Sequence, residues 1–418
     1  MIMRAALLIF FLQISFVDQI SSQSIKFAVI SDIHYMSEKL IDGEGSLSRY
    51  QLQTGRDIVV MHEVLDSVLA NVLRERPDIL LVTGDMTNHG EKQSHIDIIK
   101  KLDVIRSNGI RVFVIPGNHD INIPNAQKYI NGNSIFTESI SESEFEQLYY
   151  NFGFQNAFER DNASLGYVVE INEDTWLIAL DTNLHREYTT SSKSSGRIST
   201  ETMEWVLDVL HRAELKGVTV LGMMHHGLVE HMPYQAAFFP EYLIDDWQQN
   251  AQKLADAGLK IVFTGHFHSN DITMYSSSSG NRLYDIETGS LIQYPFPYRI
   301  IELKNNRLNV RSFNIKSTLS APNLYSEYRD IYQVHLRKAI TSKLNNLMIP
   351  ISSEVNDALV ELLVRMGLQH AAGDEILDAE MYTLVKKLGD FLEDFQFDTT
   401  EFGMDFPPLD NNIDLIIK

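Results

Sequence analysis

The chain has 418 residues, with 35 Lys and Arg against 56 Asp and Glu, 14 His and no Cys. Its length suits one large core with an appendage, or two to three domain-sized units, and 44% hydrophobic residues suffice to bury such a core. The net charge of −21 argues against wrapping a nucleic-acid polymer or gripping anionic lipid, and the lack of Cys excludes disulfides, zinc–thiolate sites and thiol nucleophiles, leaving imidazole, carboxylate and carboxamide to hold any metal.

The chain opens with Arg4, a largely apolar stretch from Ala5 to Val17, and small polar residues at Ser21, Ser22 and Ser24. That order predicts a secretory signal peptide over residues 1–22. The stretch is shorter than the roughly 20 apolar residues of a membrane span, so no stable span is expected after its removal. Export without cysteine fits a bacterial periplasm.

Short apolar runs with polar endings follow: Ile25–Ser31, Ile79–Thr83, Val112–Pro116, Trp176–Leu180, Val218–Met224 and Leu259–Thr264. They read as buried strands. Between them, Asp57–Arg76, Ser94–Ser107, Glu201–Ala213 and Asp245–Ala257 carry apolar residues at helical spacing. The alternation predicts an α/β core with largely parallel strands. The segment Asn122–Asp161 has no clear period and reads as a functional insertion. From Ile272 to Ile315 four short strands in succession predict a meander on a second sheet. A Ser/Pro/Asn linker begins at Ser317, and Tyr328–Leu347, Ser352–Met366 and Glu375–Phe395 read as three helices. Three units result: the signal peptide 1–22, a catalytic domain 23–316 and a C-terminal helical domain 317–418. The last holds an acid-rich tail from Asp374 to Asp410, expected to be a solvated face.

Five predicted strands end in residues able to bind metal. The endings are Asp32-Ile33-His34, Gly84-Asp85, Gly117-Asn118-His119-Asp120, His225-His226 and Gly265-His266-Phe267-His268. Carboxyl ends of strands are where α/β sheets build their sites. The i, i+2 spacing of Asp32/His34 and of His266/His268 would put each pair on one side of an extended chain. The donor types suit Mn, Fe or Zn, and their number exceeds the needs of one tetrahedral ion. Two ions sharing one carboxylate would use them all, and such a site activates water and clamps a phosphoryl group.

This ordered series resembles the calcineurin-like metallophosphoesterase superfamily over residues 26–268. The resemblance implies a four-layer αββα sandwich, to which this chain adds the C-terminal helical domain. It implies one metal held by Asp32, His34 and His268, a second held by Asn118, His225 and His266, and Asp85 bridging them. It selects His225 over His226. His119 would face the substrate phosphate as a general acid or charge stabiliser, and the nucleophile would be a hydroxide bridging two divalent or trivalent metal ions. Position 88 is Asn, so the tyrosinate ligand of purple acid phosphatases is missing, as is the Asp-Arg-Gly continuation of protein phosphatases. Asn88 also stands where some relatives keep an Asp that orients the catalytic His. Gly84–Ser94 and Pro116–Pro124 look most like exported bacterial cyclic-nucleotide-type phosphodiesterases. The expected substrate is therefore a small phosphodiester such as a cyclic nucleotide, with a phosphomonoesterase or nucleotidase as the alternative and a non-catalytic binding protein as a remoter one. Among other residues, His89, His185 and His231 are candidates to line the cleft. Asp181 reads as a turn or supporting group, His62 and His95 as surface residues, and Tyr294–Tyr298 as a rigid loop or a base-stacking element.

Overall fold

The protein is described by a computed structural model covering residues 24–42, 45–346, 352–389 and 405–417. The expected signal peptide lies outside these residues. In chain order the strands are β1 (Ile25–Ile30), β2 (Ile79–Val82), β3 (Arg111–Val114), β4 (Gln127–Ile130), β5 (Asn133–Phe136), β6 (Ala157–Arg160), β7 (Tyr167–Asn172), β8 (Thr175–Leu180), β9 (Thr219–Met224), β10 (Ile261–Thr264), β11 (Ile272–Ser276), β12 (Arg282–Glu287), β13 (Pro297–Lys304), β14 (Arg307–Asn314) and β15 (Asn412–Ile416). The helices are α1 (Gly45–Thr54), α2 (Ile58–Glu75), α3 (Lys92–Ser107), α4 (Glu142–Leu148), α5 (Thr200–Lys216), α6 (Gln235–Phe238), α7 (Trp247–Asp256), α8 (Leu324–Asn346), α9 (Ser353–Ala372) and α10 (Ala379–Lys387).

Strands β1, β2 and β3 run parallel and are apolar on both faces, the pattern of strands covered from both sides. They form one sheet of order β15-β14-β13-β1-β2-β3. The second sheet has the order β11-β12-β10-β9-β8-β7-β6, with β8, β9, β10 and β12 parallel. The sheets meet through one core, where Phe27 of β1 lies 6.2 Å from Phe263 of β10, ring centre to ring centre. Helix α2 turns Met61, Val64, Leu65, Val68 and Val72 onto that core, while α5 and α7 bury Val206, Leu210, Ala251 and Leu254 against the outer face of the second sheet. The result is the four-layer αββα sandwich.

The helices begin and end where their caps dictate. Asp57 caps α2 by accepting from the amides of Val59 and Val60 at 3.1 Å, and Ser199 caps α5. Gly217 ends α5 in the left-handed conformation that costs glycine nothing.

The expected meander is split between the sheets. Strands β11 and β12 join the second sheet, while β13 and β14 cross to the first and pair beside β1. Two further differences concern the ends of the catalytic region. The segment Asn122–Asp161 folds into the β4–β5 hairpin, α4 and β6. At the far end, β15 pairs antiparallel with β14, so the helices α8–α10 leave the first sheet and the chain returns to it. Ile413 and Leu415 alternate with Asp414 along β15, a strand signal too short to stand out beyond an acid-rich tail.

Leu81 sits at the centre of β2 with no exposure. Leu81→Ala should lower unfolding free energy by about 2–5 kcal/mol. Urea denaturation of a chain spanning residues 23–418 measures this; a loss below about 1 kcal/mol would mean the flanking layers collapse into the space.

Candidate metal centre

The five strand ends converge. β1, β2 and β3 deliver Asp32, His34, Asp85, Asn118 and His119, and β9 and β10 deliver His225, His266 and His268. The paired residues do not stand on extended chain, as their spacing suggested. Asp32, His34, Asp85, His266 and His268 have φ of 48°, 46°, 47°, 75° and 65°, left-handed backbone just beyond the strands. Asp and His enter that region more readily than most residues, at a cost on the order of 1–3 kcal/mol each. Strand ends that turn this sharply aim several side chains at one point. Gly84, at φ 103°, and Gly117 make room: a Cβ on Gly84 would strike the His225 ring, and one on Gly117 would strike the Asp85 carboxylate.

Two groups of donors share Asp85. On one side, Asp32 Oδ1 lies 3.2 Å from His268 Nε2, and His34 Nε2 lies 3.3 Å from His268 Nε2 and 3.7 Å from Asp85 Oδ2. On the other, His225 Nε2 lies 3.5 Å from Asp85 Oδ2 and 3.1 Å from Asn118 Oδ1, with His266 alongside. Asp32 is wholly buried, yet its Oδ1 accepts no hydrogen bond among the described residues, while its Oδ2 accepts from Ser31 Oγ at 2.5 Å and the His266 amide at 2.9 Å. The protein thus anchors one oxygen and leaves the other aimed at its neighbours.

Backbone carbonyls set the histidine tautomers. His225 Nδ1–H donates to Thr83 O at 2.9 Å, which leaves an Nε2 lone pair facing Asp85 and Asn118. His266 Nε2–H donates to Ser194 O at 2.8 Å and leaves Nδ1 free. His226 differs, because Thr182 Oγ1 and Ser194 O engage both its nitrogens. Lone pairs and carboxylates facing one another without protons need a cation between them. Without one, the cluster draws in protons: burial alone would lower His225, but Asp85 outweighs it and pushes it up to about 9. Asp85 stays well below the usual carboxylate range, because His225 and His119 outweigh its own burial. The residues present therefore fit metal ions.

A family model for calcineurin-like phosphoesterases matches residues 25–270. The chain belongs to this family. As a calcineurin-like phosphoesterase it is a metal-dependent hydrolase of phosphoric esters, and divalent ions are implied by the family and by the donor groups. It is 28% identical over 228 residues to a probable glycerophosphodiester phosphodiesterase, GpdQ, of Arcobacter nitrofigilis, covering 52% of this chain and 67% of the relative. Among solved structures it is similar to a dimetal phosphatase from Danio rerio, at 15% identity and a TM-score of 0.48, over 69% of this chain and 96% of that one. GAP50 of Plasmodium aligns at 11% identity and a TM-score of 0.36, over 70% and 84%.

In this calcineurin-like phosphoesterase His119 stands beside the donor groups, its ring centre 5.0 Å from that of His34. Its Nδ1 lies 3.1 Å from the Asn88 carbonyl and 3.1 Å from His89 Nδ1. The backbone of Asn88, rather than its side chain, orients His119. Asp120 braces the two loops by accepting from the amides of Met86, Thr87 and Gly117 at 3.1, 2.9 and 2.8 Å.

Beyond the centre opens a cavity of about 710 Å³. Asp85, Asn118, His119, His266 and His268 form its floor, Phe239, Tyr242 and Phe267 one wall, and Tyr332, Leu336, Leu362 and Met366 of α8 and α9 its roof. Arg56 and Lys343 are its basic residues. Neither could be picked out beforehand, since they stand in no motif and the chain reaches the cavity from sequence-distant helices. The Asn122–Asp161 segment contributes nothing to the lining among the described residues.

The other candidates settle elsewhere. His185 is buried against Asp181 at 2.8 Å, and His231 against Asp271 at 2.7 Å, so neither lines the cavity. His62 and His95 are buried rather than on the surface; His62 Nε2 bonds Met36 O, and His95 bonds Asp120 O and Tyr149 Oη. Tyr294, Phe296 and Tyr298 are packed inside and contribute nothing to the cavity.

Burial would lower His185, but Asp181 and Glu142 outweigh it and push it up to about 10. A raised folded-state pKa stabilises the fold fully below about pH 6.5, and this contribution is lost as pH rises through about 10. The melting temperature of His185→Gln should therefore fall less than that of the native chain between pH 7 and 10. Parallel curves would show that His185 is not charged in the fold.

Proposed function

We propose that this calcineurin-like phosphoesterase is an exported phosphodiesterase with a dinuclear metal centre of Mn, Fe or Zn, acting on a small phosphodiester with one flat or apolar arm, such as a cyclic nucleotide. The observation that carries this reading is the buried Asp32 Oδ1 held without a hydrogen bond among facing lone pairs. Asp32, His34 and His268 would hold one ion, Asn118, His225 and His266 the other, and Asp85 both. When bound, two such ions supply a water acidic enough to ionise near neutral pH and positive charge for the phosphoryl oxygens.

The chain's own groups do the rest. Thr83 O and Ser194 O keep His225 and His266 turned toward the ions. The Asn88 carbonyl takes the Nδ1 proton of His119 and leaves the Nε2 lone pair for the cavity; a proton taken up there, favoured by an anionic phosphate, makes the imidazolium whose Nε2–H can pass to the departing ester oxygen, returning the ring to neutral. Arg56, beside Asn88 in the cavity lining, offers a cation to the phosphate. The aromatic wall and aliphatic roof favour an arm that stacks or buries, and exclude water from it. The relative in Arcobacter nitrofigilis is named for glycerophosphodiesters, whose glycerol arm is small and polar. The apolar cavity here supports a nucleobase-sized arm instead.

The mature chain without residues 1–22 should bind two metal ions and, with Mn²⁺, turn over aryl phosphodiesters and cyclic nucleotides faster than aryl monoesters. Fewer than two ions at saturation would sink the dinuclear reading, and faster monoester turnover would replace the diesterase reading. Asn118→Ala should lose one ion and most activity. His119→Gln should keep both ions and lose about 10²–10⁴-fold on alkyl leaving groups, but much less on p-nitrophenolate, which leaves without a proton. An equal loss on both would remove His119 from the role of acid.

A further inference from the structure

A second group of metal-binding side chains lies outside the catalytic centre, where three distant segments meet. Asp271 follows the Gly-His-x-His loop, His370 and Glu375 lie at the end of α9, and Asp405 and Asp410 precede β15. Donor atoms of Asp271, Glu375, Asp405 and Asp410 lie within 4.8 Å of one another, as do those of Asp271, His370 and Glu375. Asp271 and Asp410 are 0% exposed and Glu375 9%.

Asp271 and Glu375 are each held by one oxygen and leave the other bare. Asp271 Oδ1 faces His231 Nδ1 at 2.7 Å and Thr273 Oγ1 at 3.0 Å. Its Oδ2 accepts no hydrogen bond among the described residues and points to α9, 3.7 Å from His370 Nδ1. Glu375 Oε1 lies 2.5 Å from His370 Nδ1, while among the described residues its Oε2 accepts nothing and the buried Asp405 Oδ1 has no donor. Asp410 is braced by the amides of Ile272 at 2.8 Å and Asp374 at 2.5 Å. The nearby Arg299 spends its guanidinium on the carbonyls of Glu287, Asp410 and Asp271 and on Ser312 Oγ, none of them a carboxylate. Four carboxylates thus face the imidazoles of His231 and His370 and one guanidinium, an excess of negative charge that a bound cation would relieve.

We propose that Asp271, Glu375, Asp405 and Asp410 bind one hard divalent cation, for which Ca²⁺ is the best match, and that this ion fastens α9 and the return to β15 onto the catalytic loop. Oxygen-only donors, several carboxylates and a site assembled from separate segments are the conditions that suit calcium. The site is distinct from the dinuclear centre but borders the same cavity, since His370 and Glu375 lie in its lining and the His370 ring packs 5.2 Å from Phe267 in the cavity wall.

The test uses the mature full chain, stripped of metal, at pH 7.5. CaCl₂ should raise its melting temperature by about 3–6 °C. Elemental analysis after desalting should find one calcium per chain. Asp85→Asn, which disables only the dinuclear centre, should keep both effects, whereas Glu375→Gln, folded by near-ultraviolet circular dichroism, should lose both. Absence of any calcium effect in the native chain overturns the proposal. So does a calcium effect that survives Glu375→Gln or vanishes in Asp85→Asn, which would assign the ion to the catalytic centre. The native and Asp85→Asn results decide the matter even if Glu375→Gln fails to fold.

Discussion

The structure is organised around a repulsion. At the catalytic strand ends, carboxylates and imidazole lone pairs are brought within 3.1–3.9 Å of one another without enough protons to separate them. Only a rigid frame holds such an arrangement. Parallel strands apolar on both faces and left-handed residues past their ends supply it. The carbonyls of Thr83 and Ser194 then decide which ring nitrogen is bare. Folding energy from the two sheets is spent on keeping these groups close, and metal ions relieve the result.

Much of the fold was readable from the chain. Each core strand announced itself as an apolar run closed by Asp, Asn, His or Gly, because a strand covered on both faces has no polar alternation to obscure it. The candidate ligands were readable for a related reason: chemistry needs particular side chains, and they stand right after those runs. The way they converge was not readable. Spacing of two residues implied an extended chain, whereas Asp32, His34, His266 and His268 reach one point through left-handed turns. Tautomers were hidden too, since backbone carbonyls 72 and 142 residues away select them.

What failed was long-range placement. The crossing of β13 and β14 to the first sheet, the burial of His62 and His95, and the inward turn of Glu375 and Asp410 all depend on partners far along the chain. An acidic stretch ordinarily lies in water, and here part of it is enclosed with Asp271. The C-terminal helices carry no motif, yet they provide the apolar roof of the cavity.

The return of the chain to β14 gives that roof an unusual standing. Strands β14 and β15 are antiparallel neighbours, and everything between Asn314 and Asn412 is topologically the loop of one β-hairpin. Both stems of the loop rise from the same sheet edge, so the helices cannot drift off as a tethered domain would. Their exchange for a short turn would leave the hairpin, and hence the sheet, formally complete. The cover over the cavity is thus a single insertion between two neighbouring strands, set apart in connectivity from the strand ends that carry the candidate ligands.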